Sequence, residues 1–250
     1  MMAGMEDRVA VVTGASRGIG SHIVRELATR GWRVACLSRK GLGPEDRPRG
    51  PEEAARSFDC ACDSTDDASI AAALKAAHGH YGRIDVLVNN AGAHDEGRSA
   101  EYATEAFEAL MRVNATGVFV ASREAYPYLA ETRGLIVNMG SYYDKLGVRF
   151  HAAYCASKAA VAAIGRCLAV EWAKAGVRVV TVAPGFIGTD LNQTHMANER
   201  FREFITRRIP SGEIGKPEEV AKLVAAIAGE NLQFLNGETI YLDGGQGMNH

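Results

Sequence analysis

The chain has 250 residues, 47% hydrophobic and 23% charged, with a formal net charge of -2 at pH 7. That length suits one α/β domain with a large buried core, and so small a charge gives no electrostatic reason to expect nucleic acid or an anionic membrane as a partner. The five cysteines (Cys36, Cys60, Cys62, Cys155, Cys167) contain no C-x-x-C pair, which predicts reduced thiols and, with nothing to complete Cys60-x-Cys62, no metal site.

The stretch before the first strand shows no basic-then-apolar leader, and no run of about 18 apolar residues follows, so the expected setting is the cytoplasm. Short apolar strands then alternate with longer helical patterns. Strands are predicted near 9 to 13, 33 to 37, 58 to 62, 84 to 89, 134 to 138, 177 to 183 and 239 to 242; helices are predicted near 18 to 30, 66 to 80, 104 to 130, 152 to 174 and 217 to 228. No linker or repeat interrupts them. The expected fold is α/β: a single-domain, doubly wound, Rossmann-type parallel sheet of about seven strands with helices on both faces, spanning residues 1 to 250. Residues 39 to 53, rich in glycine and proline, exclude a long helix. Residues 185 to 216, which carry Phe201, Phe204 and Ile205 among polar neighbours, are read as a substrate lid.

The first strand runs into Thr13-Gly14-Ala15-Ser16-Arg17-Gly18-Ile19-Gly20, and a helical pattern follows. Bare backbone at a strand-to-helix turn lets a pyrophosphate reach amides at a helix N-terminus, although the spacing is Gly-x-x-x-Gly-x-Gly and not Gly-x-Gly-x-x-Gly. After the second strand, where a carboxylate would bond a ribose 2′-hydroxyl, the chain reads Ser38-Arg39. A guanidinium there can fork a 2′-phosphate, with Arg17 as a second charge, so NADP(H) is favoured over NAD. Tyr154 and Lys158 lie four apart on a predicted helix and share a face, so the ammonium is expected to make the Tyr154 hydroxyl a usable acid near neutral pH. Ser141 can donate a hydrogen bond to a carbonyl oxygen that gains charge as hydride reaches its carbon.

These residues, with Cys62-Asp63 after the third strand, Asn89-Asn90-Ala91-Gly92 after the fourth, Asn114, Pro184-Gly185 and Thr189, resemble the short-chain dehydrogenase/reductase family along nearly the whole chain. Within it the chain is most similar to the 3-oxoacyl-acyl-carrier-protein reductases and related carbonyl reductases, down to the ending Gly237-Glu238-Thr239 to Asp243-Gly244-Gly245. The resemblance implies that Asn114, Ser141, Tyr154 and Lys158 form the catalytic set, with Asn114 holding a water that refills the proton. It also implies that Asp63 holds the adenine, that Asn90, with Ala91 and Gly92, supports the ribose, and that Ile187 and Thr189, after Pro184-Gly185, meet the nicotinamide amide.

The activity this implies is NADPH-dependent reduction of a ketone, a 3-oxoacyl thioester or related carbonyl. An NAD(P)-dependent alcohol, sugar or polyol dehydrogenase is the alternative, and a nucleotide-binding regulator without catalysis is the rival class. The positions that usually carry basic residues for docking an acyl carrier are Thr132 and Ala175 here, with Arg133 and Lys174 beside them. His94, Asp95, Glu96, Tyr142, Tyr143 and His151 are candidates for the pocket rim. Val161, Ile164, Leu168 and Trp172 spread over more than one face of the helix at 152 to 174, and Ala156, Ala159, Ala160, Ala162 and Ala163 leave it smooth. A second buried face against another subunit, with Trp172 and Ala163 in it, and hence a homotetramer or homodimer, is expected.

Overall fold

Runs of Val, Ile, Leu and Ala set the strands, which a computed structural model covering residues 8–189, 198–230 and 232–248 places in one sheet. They are β1 (Val9–Thr13), β2 (Arg33–Ser38), β3 (Ser57–Ala61), β4 (Val86–Asn89), β5 (Leu135–Met139), β6 (Arg178–Pro184) and β7 (Thr239–Leu242). The order is β3-β2-β1-β4-β5-β6-β7 and every neighbouring pair is parallel. Each strand lies within about two residues of its expected bounds, within the ordinary spread of strand ends.

The helices are α1 (Gly18–Thr29), α2 (Pro51–Ala55), α3 (Asp67–Tyr81), α4 (Thr104–Met111), α5 (Gly117–Thr132), α6 (Ala152–Trp172), α7 (Glu199–Arg208) and α8 (Pro217–Gly229). Ala10, Val12 and Val34 point to the face covered by Ile23, Val24 and Leu27 of α1 and Val220 and Val224 of α8. Val11, Ala35 and Ile136 point to the opposite face, under Ile70 and Leu74 of α3, Leu129 of α5 and Leu168 of α6. Burial of both faces explains why the central strands read as continuous apolar runs.

Residues 39 to 53, as expected, hold no long helix and run as a loop into the five-residue α2. Two expectations change. The helix at 104 to 130 is not regular: a wider π-type turn at Arg112–Thr116 lies between α4 and α5. A Cβ at Gly117 would lie 2.4 Å from the Ser64 carbonyl oxygen, so the chain passes close to the loop after β3 there. Second, Trp172 does not face outward. It is 9% exposed, belongs to the core under α5, and packs its ring 4.7 Å from that of Tyr126. Val161 and Leu168 are buried with it, so the outer face of α6 is Ala156, Ala159, Ala160, Ala163 and the 81% exposed Val170. The segment Ala152–Ala175 is long and apolar enough to cross a membrane by length and composition, and Leu168, Ala169 and Trp172 of it are buried in the core of this fold. Residues 190 to 197 of the expected lid lie outside the described residues.

Trp172→Ala should cost about 3 to 5 kcal/mol, the usual range for emptying a large buried aromatic site. Urea unfolding followed by far-ultraviolet circular dichroism measures it, and a loss below about 1 kcal/mol, typical of a surface change, would place the ring at a surface instead.

Candidate active site

The strand order reverses between β1 and β4, and a crevice opens beyond their C-terminal ends, as expected at such a switch point. The walls are tied together. Thr13 Oγ1 accepts hydrogen bonds from Asn90 N and Ala91 N at 3.0 Å each, and Asn90 Nδ2 donates to the carbonyls of Thr13 (2.9 Å) and Gly14 (3.1 Å). The Asn90 amide thereby holds the glycine turn in place.

The turn leaves no room for side chains where the chain crosses itself. A Cβ at Gly20 would sit 2.2 Å from the Gly14 carbonyl oxygen, and Gly14 has a φ of 65°. At Gly18 nothing stands within 4 Å of an added Cβ: the backbone at the start of α1 faces open space. That is the cradle a pyrophosphate requires. Every cofactor residue expected from the sequence lines one cleft of about 1420 Å³: Gly14, Ser16, Arg17, Gly18, Ile19, Gly20, Ser38, Arg39, Asp63, Asn90, Ala91, Gly92, Tyr154, Lys158, Pro184, Gly185, Ile187 and Thr189. The residues present therefore fit a dinucleotide.

Two of them differ in detail from expectation. The Ser38 hydroxyl closes a turn, donating to the Leu42 carbonyl at 2.7 Å and accepting from Leu42 N at 2.9 Å. Its proton is committed, so Arg39, which is exposed, is the member of that pair able to face a phosphate. Asp63 accepts from Thr65 N (2.9 Å) and Thr65 Oγ1 (2.7 Å); these bonds, with the more distant Arg39 charge, hold its carboxyl below the usual range.

At the other end, Ser141 follows β5, where its Oγ accepts from Tyr143 N at 3.3 Å, and Tyr154 lies in the first turn of α6; both line the cleft. Lys158 is buried one turn further on; its Nζ donates to the Met139 carbonyl at 2.9 Å and lies 5.7 Å from the centre of the Tyr154 ring. The expected lowering of Tyr154 by Lys158 is overridden here. Burial pushes the phenol up to about 12, against the opposing pull of Ser141, and burial pushes the ammonium down to about 8. Both charged forms lose hydration, and that loss dominates.

Asn114 does not line the cleft. It is fully buried in the π-type turn, where Oδ1 accepts from Ala93 N (2.8 Å) and Nδ2 donates to the Ala93 carbonyl (2.9 Å) and Ser157 Oγ (3.0 Å). Ser157 in turn donates to the Tyr154 carbonyl at 2.8 Å, so Asn114 steadies the first turn of α6. His94 and His151 come closer to the chemistry than a loop position advertises. His94 stands edge-on to the Tyr154 ring at 4.8 Å, and His151, 5.0 Å from His94, has Nε2 3.3 Å from the Glu96 carboxylate. Tyr143 meets the rings of both Tyr154 and His151. Phe201, Phe204 and Ile205 of α7 line the same cleft. The Met139 carbonyl was beyond sequence reasoning, because a backbone acceptor leaves no residue signature.

A family model described as Enoyl-(Acyl carrier protein) reductase matches residues 14–247. The 3-oxoacyl-(acyl-carrier-protein) reductase MabA of Mycobacterium tuberculosis is 36% identical over 244 residues, 97% of this chain and 94% of the relative. Two solved structures each have a TM-score of 0.87. One is a gluconate 5-dehydrogenase from Burkholderia cenocepacia in complex with NADP and tartrate, at 27% identity over 98% of this chain and 99% of that one. The other is a 3-ketoacyl-(acyl-carrier-protein) reductase from Brucella melitensis complexed with NADH, at 28% identity over 98% of this chain and 100% of that one. The chain belongs to the short-chain dehydrogenase/reductase family and is an oxidoreductase with a nicotinamide-dinucleotide fold.

Proposed function

We propose that the enzyme reduces a ketone to a secondary alcohol with NADPH, the substrate being a 3-oxoacyl thioester or a related carbonyl compound. The observation that carries this reading is that Ser141 and Tyr154 line the far end of the cleft that begins at the glycine cradle, with Lys158 buried beside them and its Nζ 5.7 Å from the Tyr154 ring centre. The glycine turn, Asp63 and Arg39 would hold the adenosine diphosphate half, and Tyr154, Lys158, Ile187 and Thr189 the nicotinamide half. When bound, the cofactor supplies a hydride to the carbonyl carbon.

The chain's own residues handle the oxygen. Ser141 donates a hydrogen bond to it as negative charge develops, and Tyr154 delivers its hydroxyl proton. Lys158 supplies the positive charge that stabilises the resulting phenolate. A second reading, a sugar or polyol substrate, draws on the polar rim of His94, Glu96 and His151, which can bond several hydroxyls. Residues 185 to 216 act as a lid in either case, and the cytoplasm is the setting we assign. Turnover with acetoacetyl thioesters against gluconate-like sugar acids and polyols separates the two, and activity confined to the sugars and polyols would remove the thioester reading.

Tyr154→Phe keeps the ring and removes the acid, so turnover should fall at least about 100-fold while NADPH still binds; retained turnover would refute the mechanism. The pH dependence follows from Lys158. Tyr154, at about 12, stays protonated across the working range, whereas Lys158, at about 8, loses its charge as pH rises through that value. Reduction should therefore fall above pH 8 with a single-proton slope in steady-state kinetics.

Arg39→Ala should weaken NADPH about tenfold or more and leave NADH nearly unchanged, since a charged hydrogen bond is lost only with the 2′-phosphate. Fluorescence titration with each cofactor reads the difference.

The assembly we propose is a homotetramer, with one two-fold axis through the outer faces of α5 and α6 and another through β7. Phe119 (40%) and Val170 (81%) are exposed on the former. Ala163→Arg should dissociate it, and light scattering of the native protein at the single-chain mass of 26.7 kDa would rule it out.

A further inference from the structure

Arg25 sits in the middle of α1, only 6% exposed, and does not line the cofactor cleft. Its guanidinium is nevertheless fully engaged. Nη1 donates to both carboxylate oxygens of Glu53 (2.7 and 2.9 Å), Nη2 to Asp46 Oδ1 (3.0 Å) and to the Arg47 carbonyl (2.6 Å), and Nε to Asp46 Oδ1 (3.4 Å). Arg47 Nη1 stands 3.7 Å from Glu53, so two cations meet two carboxylates. A buried guanidinium is costly unless its donors are met, and here one side chain gathers the middle of the loop between β2 and β3 and Glu53 of α2.

That loop adjoins the 2′-phosphate end of the cleft. Arg39 stands at its start, and Glu45 N, one residue before Asp46, donates to the Ser16 carbonyl of the glycine turn at 2.8 Å. The Ser38 to Leu42 bonds and the Arg49 to Asp59 pair (2.9 and 2.5 Å) hold the loop elsewhere, but neither reaches α1. Among the described residues, the side-chain hydrogen bonds that tie the Asp46 stretch to the helix that begins at the cradle come from Arg25.

We propose that Arg25 is a positioning residue for cofactor choice: by pinning residues 38 to 56 against the glycine turn it holds Arg39 where a 2′-phosphate is read. This rests on the NADPH reading above. Loss of the fork loosens the loop, and a loose loop penalises NADPH over NADH because only the 2′-phosphate needs Arg39 held in place. A purely structural Arg25 would weaken the two cofactors alike.

The test is fluorescence titration of the full-length protein with NADPH and NADH, alongside thermal melting, for wild type, Arg25→Lys and Asp46→Ala. Lysine cannot reproduce the fork, so Arg25→Lys should lower the NADPH-to-NADH affinity ratio at least about fivefold with NADH binding nearly constant. Asp46→Ala keeps the Glu53 pair and the folded helix, and it separates position from charge. A looser loop lowers the ratio, whereas simple removal of a negative charge raises it. A raised ratio in Asp46→Ala, or a wild-type ratio preserved in both variants, would overturn the inference and leave the NADPH reading standing. Should Arg25→Lys fail to fold, Asp46→Ala decides alone. A wild type without NADPH preference would remove both.

Discussion

The hydrogen bonds between the ends of β1 and β4 are the constraint on which the rest of the site depends. Thr13 Oγ1 takes two backbone amides from the β4 exit and itself donates to the Val88 carbonyl at 3.3 Å, so its hydroxyl is saturated. Remove it and Ala91 N loses its acceptor while Asn90 N keeps only the Val88 carbonyl at 3.0 Å, and an unmet donor in a part-buried place costs more than the bond had gained. The same contact brings Gly14 so close to Ala91 that a Cβ would approach the Ala91 Cα within 2.9 Å. The cradle and the β4 exit are thus one rigid piece. Gly92 continues it toward the chemistry: a Cβ there would lie 3.2 Å from Asn114 Oδ1 and 3.7 Å from Lys158 Nζ.

The break between α4 and α5 belongs to the same construction. A regular helix from 104 to 130 would carry Asn114 past the β4 exit without meeting both the amide and the carbonyl of Ala93. The π-type turn shifts the register and lets one side chain close a two-point contact with that backbone and a third with Ser157. Widened turns of this kind are frequent at functional sites because they redirect a side chain without ending the helix. Asn114 is linked to the first turn of α6 through Ser157, which donates to the Tyr154 carbonyl.

The sheet and its helices were legible in the sequence because both depend on local period: β-branched runs such as Val9-Ala10-Val11-Val12, and the Ile23, Val24, Leu27 stripe of α1. The glycine turn was legible for a related reason, since its residues are chosen for what the backbone must do at that point. Trp172 was misread because helical period says which residues share a face and not which face meets the sheet. The π-type turn is invisible to period altogether, as Arg112-Val113-Asn114-Ala115-Thr116 contains no breaker. Arg25 was overlooked because its acceptors are 21 to 28 positions away, and a lone arginine in an amphipathic helix looks like any solvated one. The shift of Tyr154 and Lys158 went the other way from expectation because spacing reveals the neighbour but not the depth, and depth decided it.

That division also explains why family follows from this chain more readily than substrate. The cofactor half is built at strand ends, from backbone approach and small residues whose demands are the same whatever ketone is reduced. The substrate half is built from what the loops after β4, β5 and β6 happen to carry: His94 and Glu96, Tyr143 and His151, and α7 with Phe201, Phe204 and Ile205. Loops tolerate change in a way that the Gly14 to Gly20 crossing cannot. The helix α7 itself brings apolar Phe201, Phe204 and Ile205 and cationic Arg207 and Arg208 to the one cleft that the polar rim also lines, so this half mixes chemistries where the cofactor half repeats one.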